Sequence, residues 1–301
     1  MKSSRRSARP TSRWMGFWVA AVVAAPGLAN ARPTDLFYER TVMSAADARC
    51  DLFAPEVGAA LAASAAQARG AALRSGTSRA VLRAIETNAR SKVAAVDCTS
   101  SDITLAANRV KTAFSGYAKI TRLTYPGDVA PWQADRSGAR STAWRLSQET
   151  AFGADRMSFG LAGRTGPGAL IAVGRFADRA QPYAARLLLR DAARSSQAYL
   201  DRWTGGSTAG LPLDRRLPPR ASLKAYSASA RSAASPELLP RDVKSGWAFR
   251  FPDTAALELA GLDPREAIAV EFLFPGDVTR RAYVEVGDFA AGRAFLQVAV
   301  R

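Results

Sequence analysis

The hydrophobic period of this chain changes once, near residue 120, and that change dictates an α+β fold with helices ahead of strands. From about Thr34 to Ala118, Leu61, Leu73, Val81, Leu82, Ile85, Val93 and Val96 recur at spacings of three and four in an Ala-rich background. Such spacing puts apolar groups on one face of a helix. Breaks at Gly70, Ser75-Gly76 and Asp97-Cys98-Thr99 divide the stretch into four helices, over about 35–49, 53–74, 78–96 and 101–117. Ser78, and Ser101 or Asp102, are the expected caps. Helices of this length joined by short turns pack antiparallel as a small bundle.

Beyond Ile120 the residues alternate. Ile120 to Tyr125, Met157 to Leu161, Ala169 to Phe176, Ala185 to Leu189, Leu223 to Tyr226, Trp247 to Phe251, Ile268 to Phe274 and Ala282 to Val286 all show the pattern. Turn residues at Gly163 to Gly168 and at Pro275-Gly276-Asp277 mark hairpins, so an antiparallel β-sandwich is expected. Two late helices are expected inside it, one opened by Asp253 and ending before Gly261, the other opened by Asp288 and running to about Val298. Thr204 to Gly246, rich in Gly, Ser, Pro and Arg, reads as a long irregular excursion with one strand inside. The expected organisation is therefore a helical domain over 32–118 and a β-sandwich domain over 119–301, with a long loop around 204–246.

The segment ahead of the helices reads as a secretory signal peptide over 1–31. Lys2, Arg5, Arg6, Arg9 and Arg13 supply a positive end, Trp14 to Leu28 a short apolar run, and Ala29-Asn30-Ala31 a small-residue cleavage site. Broken by Pro26 and Gly27, the run is shorter than the roughly 20 residues that span a bilayer. The expectation is a periplasmic or secreted protein with no transmembrane segment after signal removal. Cys50 and Cys98 are the two cysteines, and export would place them where thiols oxidise, so one structural disulfide is expected.

The formal net charge is +16, of which the five leader cations account for part and leave +11. Arginines dominate it, and only Arg215-Arg216 and Arg280-Arg281 are adjacent pairs beyond the leader, so no dense basic run points to nucleic acid. Scattered cations of this kind read first as a diffuse solvated surface, with binding to an anionic surface polymer as the alternative.

The chain has no histidine, which removes Ser-His-Asp and Cys-His machinery together with histidine-based metal hydrolysis. With no third cysteine the usual zinc cages also cannot form, and no cofactor is expected. Carboxylate pairs are what remains for catalysis: Glu149 with Asp155 beside a turn, and Glu271 with Glu285 opposed across the final hairpin. Such pairs can hydrolyse glycosides, although carboxylates on strands more often simply face water. The glycine-rich pieces, Gly163 to Gly168 and Gly205 to Gly210, lack the Lys-Ser/Thr that a phosphate-cradling loop requires. Exposed tryptophan beside arginine is a common way to hold a sugar or peptide, which singles out Trp144 with Arg145 and Trp203 with Arg202 as candidate ligand-binding residues, although a sandwich of this size also needs bulky side chains to fill its core and rim.

The last part of the chain resembles a known family. Trp247-Ala248-Phe249-Arg250-Phe251, the helix to Gly261, Ala267 to Phe274, and Ala282-Tyr283-Val284-Glu285-Val286-Gly287-Asp288-Phe289 leading into a terminal helix are similar to the invasion-associated locus B proteins. These are exported bacterial envelope proteins with a β-sandwich fold. The resemblance implies an envelope-associated or stress-tolerance role and transfers no catalytic residues. The expected function is thus a non-catalytic envelope protein whose partner is an envelope protein or glycan. The alternatives are a cell-wall glycan hydrolase using a carboxylate pair and an adaptor subunit of a secretion or surface-attachment system.

Overall fold

Four helices form where the spacing of three and four places them: α1 (Pro33–Cys50), α2 (Pro55–Arg74), α3 (Arg79–Ala94) and α4 (Ser101–Tyr117). The computed structural model describes residues 32–195, 200, 208, 210–241 and 243–298. The signal-peptide segment and the Arg202-Trp203 pair lie outside the described residues, as does most of Gly205 to Gly210. Proline at the first helical position opens α1 and α2, where its missing N–H costs nothing. Ser78 caps α3 through the Val81 N–H, as expected; α4 is capped one residue earlier than expected, by Ser100 through the Ile103 N–H. The Cys50–Cys98 disulfide, with Cα atoms 5.7 Å apart, ties the end of α1 to the turn after α3. Arg49 reinforces that join by donating to the carbonyls of Val93 and Val96.

Eleven strands follow among the described residues, all paired antiparallel: β1 (Arg122–Tyr125), β2 (Trp132–Asp135), β3 (Ala143–Phe152), β4 (Asp155–Gly163), β5 (Ala169–Arg175), β6 (Ala184–Arg190), β7 (Leu223–Ser227), β8 (Ala230–Ala233), β9 (Trp247–Arg250), β10 (Ala267–Phe274) and β11 (Val278–Glu285). They form a seven-stranded sheet in the order β1-β2-β3-β4-β5-β9-β8 and a four-stranded sheet in the order β11-β10-β6-β7. Alternate residues of both sheets meet between them. Phe159, Leu161, Leu170, Ala172 and Phe249 from the first pack with Leu187, Ile268, Val270, Phe272 and Val284 from the second. The expected sandwich is therefore present, with its two late helices, α5 (Asp253–Ala260) and α6 (Phe289–Gln297), closing the core through Leu259, Phe289 and Phe295.

Three details differ from the sequence reading. The 204–246 excursion is not one long loop with a single strand: β7 and β8 both lie in it, and they form edges of different sheets. Pro252, not Asp253, occupies the N-cap of α5, so Asp253 acts from the first turn, where its charge suits the positive end of the helix. Asp288 occupies the N-cap of α6 but makes no side-chain capping bond, because Arg74 of α2 takes both carboxylate oxygens at 2.5 and 2.8 Å.

That last pair joins the helical and β parts, which form one compact unit over Arg32–Arg301. Ala66 of α2 and Tyr117 of α4 pack on the sandwich core, and Val298 returns to pack with Phe53, Val57 and Phe114. Small residues let α2 approach closely. A Cβ on Gly70 would collide with the Asp288 carboxylate. A second ion pair crosses the same junction, from Arg79 to Asp263 at 3.1 Å. Burial works against ionisation of Asp263, but the Arg265 guanidinium outweighs it and holds the carboxyl below its ordinary range.

Candidate functional site

β5, β8 and β9 end together beside the loop from Phe176 to Tyr183. In register, Trp247 of β9 lies between Gly174 of β5 and Ala233 of β8. A groove of about 270 Å³ opens there, lined by Phe176, Arg179, Gln181, Lys244, Ser245 and Trp247 over a floor that includes Gly174 and Gly246. The glycines keep the floor low: a Cβ on Gly174 would lie 2.8 Å from the Phe176 ring, and one on Gly246 would press on Leu239 at 3.0 Å.

Each wall is fixed by the fold. Phe176 packs edge-on against Phe272 and Phe274 at centroid distances of 5.2 and 5.0 Å, which anchors the loop to the sandwich. Arg231 of β8 donates to the Pro182 carbonyl at 2.8 Å and lays its guanidinium 3.6 Å from the centre of the Trp247 ring. Asp178 turns away from the groove and binds Arg280, while its Oδ1 accepts from the Ala180 N–H. Arg179 follows with φ +60, a left-handed conformation that costs a non-glycine residue roughly 1–2 kcal/mol. Strain of this kind persists only where the surroundings impose it. Here it leaves Arg179 exposed at the groove mouth.

The groove is cationic by construction. Among the described residues none that lines it is acidic, and neither Arg179 nor Lys244 has an acidic partner. The nearby carboxylate, Asp178, is neutralised: its hydrogen bond from Arg280 pulls its carboxyl down to about 2. Arg280→Gln is expected to raise the Asp178 titration towards the ordinary aspartate value near 3.9, stopping short of it because the Ala180 N–H still stabilises the carboxylate. A carbon-detected NMR pH titration reads this directly, and an unchanged midpoint would contradict the pairing. The sign follows: Asp178 is lowered on folding, so the stability it contributes is present above its unfolded value and lost as pH falls through about 2.

The residues singled out by sequence fall elsewhere. Trp144 lies under the 234–239 segment, its indole N–H donating to the Leu238 carbonyl at 3.1 Å. Arg145 is buried rather than exposed. It is the extra residue of a β-bulge between Trp144 and Leu146, and its guanidinium donates to the carbonyls of Gly163, Asp135, Ser137 and Arg164. It holds three segments together and has little left to offer a ligand.

Nor are the carboxylates arranged as acid and base. Glu271 is opposite Arg281, not Glu285, and Arg186 and Arg281 clasp it from both sides. Glu285 is opposite Ala267, fully buried, and accepts the N–H groups of Asp128, Val129 and Ala130 at 2.8, 2.8 and 3.3 Å. Glu149 accepts from Ser158, with Arg175 3.9 Å away, and Asp155 is held by Arg280 and the Ala177 N–H. No grouping of three metal-binding side chains occurs among the described residues, and no helix there is long and apolar enough to cross a membrane.

In the sequence Trp247 reads as the start of a strand, and nothing there places a site on it. Its partners come from a loop and a neighbouring strand distant in sequence, so no local spacing marks the groove. Comparison with protein-family models, with curated proteins and with solved structures finds no match to this chain.

Proposed function

We propose that this protein is a non-catalytic bacterial envelope factor that holds an anionic polymer, a carboxylated glycan by preference, in the groove beside Trp247. The observation that carries this reading is the pairing of Arg179 and Lys244, which have no acidic partners among the described residues, with aromatic walls at Phe176 and Trp247. Aromatic faces accept the apolar face of a sugar ring, and the cations accept its carboxylate.

Location follows the same chemistry. The Cys50–Cys98 disulfide suits an oxidising compartment, and the basic, apolar and small-residue order of residues 1–31 suits export. Together they favour the periplasm or the cell exterior, and the resemblance to invasion-associated locus B proteins points the same way. Binding rather than catalysis is favoured because Glu149, Asp155, Glu271 and Glu285 are committed to cations or backbone donors.

Retention on immobilised polygalacturonate tests the reading. Arg179→Glu with Lys244→Glu is expected to weaken binding at least about tenfold, since a hydrogen bond to a charged group contributes about 1.5–3 kcal/mol. Binding of the unaltered protein is expected to fall as salt rises from 0.05 to 0.5 M, through screening of about the Debye range. Equal retention of the double variant would remove the groove from the proposal.

A further inference from the structure

A second cavity, of about 220 Å³, lies at the helix–sandwich junction, between α2 and the start of α6. Its lining is mostly small and apolar, with Ala66, Leu262, Val286, Ala290 and Ala291 among the wall residues. One cation stands in that lining, Arg69. Its side chain is 39% exposed, it makes no hydrogen bond among the described residues, and its one ion pair is a 4.0 Å contact with Glu86. The neighbouring acids are already engaged. Asp263 is held by Arg79 and Arg265, and Asp288, which also lines the cavity, is neutralised by Arg74.

We propose that this cleft binds a linear aliphatic carboxylate, with the tail against Ala66, Leu262, Val286 and Ala290 and the head on the Arg69 guanidinium. A planar guanidinium presents paired N–H donors that match a carboxylate, and the apolar wall rewards removal of methylenes from water. Burial and the like charge of Arg79 disfavour the Arg69 cation more than Glu86 and Asp263 support it, and an arriving anion adds to that support. The cleft carries one cation and no aromatic wall, which distinguishes its ligand from that of the Trp247 groove. The inference stands independently of that groove.

NMR titration of the full disulfide-bonded protein with saturated monocarboxylates from acetate to octanoate tests it. Affinity is expected to rise roughly fourfold per methylene until the cleft is full. The n-alcohols of equal length are expected to bind more weakly. Arg69→Gln, at a half-exposed position, is expected to abolish the preference for acid over alcohol while keeping the dependence on chain length. Ala290→Leu is expected to abolish the dependence on chain length. Acids that bind no better than alcohols, or an acid preference that survives Arg69→Gln, would overturn the proposal. So would an absence of resonance shifts around Ala66 and Ala290 at millimolar octanoate.

Discussion

Arg74→Ala is expected to destabilise the protein by about 3–5 kcal/mol, measured from the shift of its urea unfolding midpoint, because it leaves the buried Asp288 carboxylate without a cation. Arg74 reaches Asp288 across the helix–sandwich junction with both oxygens satisfied, and the Asp288 side chain is fully buried. Burial already pushes the Asp288 carboxyl above its usual range even with Arg74 in place. Removing the guanidinium raises it further. A carboxyl raised on folding contributes stability below its unfolded value and loses it as pH rises towards the folded one. The cost of Arg74→Ala is therefore expected to grow between about pH 4 and pH 7, starting from the ordinary aspartate value near 3.9. The paired variant Arg74→Met with Asp288→Leu is expected to recover most of the loss, since an apolar pair needs no compensation. A single variant as stable as the parent at pH 7 would mean that the junction does not depend on this pair.

Removal of the disulfide is expected to have an effect of similar size through a different cause. Cys50 and Cys98 are 48 residues apart, and closing a loop of that length restricts the unfolded chain by about 4 kcal/mol in the chain-entropy treatment. In a protein of this size that corresponds to a fall in melting temperature of roughly 8–16 °C for Cys50→Ala with Cys98→Ala. The helices hold each other by other means as well, including the Arg49 bonds to Val93 and Val96 and the packing of Phe37 on Leu73 and Leu82. The double variant is thus expected to fold, with near-parental far-ultraviolet dichroism at 20 °C. A melting temperature unchanged by the substitution would show that the bond constrains nothing the native contacts do not already fix.

The helices and most strands were legible because each buries one face on a single local period. Leu61, Leu73, Leu82 and Val93 mark the inner faces of α2 and α3 and are buried in the structure. β2, β3 and β8 are absent from the alternating series for separate reasons. In β3 the bulge at Arg145 breaks the alternation of two, so Arg145 and Leu146 are buried in succession. β8 is an exposed edge strand with no apolar pattern to read, and β2 is only Trp132–Asp135. The groove was less legible still. Trp247, Arg231, Arg179 and Lys244 converge through sheet order, and pairing of β9 between β5 and β8 cannot be read from spacing along the chain. Trp144 and Arg145 show the converse. Adjacent aromatic and cationic residues suggested a ligand surface, but the bulge turns Arg145 inward, where its guanidinium is taken up by the carbonyls of Asp135, Ser137, Gly163 and Arg164.

The proposed binding of an anionic polymer beside Trp247 is tested most directly by following the Trp247 indole N–H resonance during titration with polygalacturonate. A saturable shift of that resonance is predicted, accompanied by shifts at Gly174, Gly246 and Arg179 and abolished by Arg179→Glu with Lys244→Glu. A Trp247 resonance that stays in place while the polymer binds, or shifts confined to another face, would contradict the assignment.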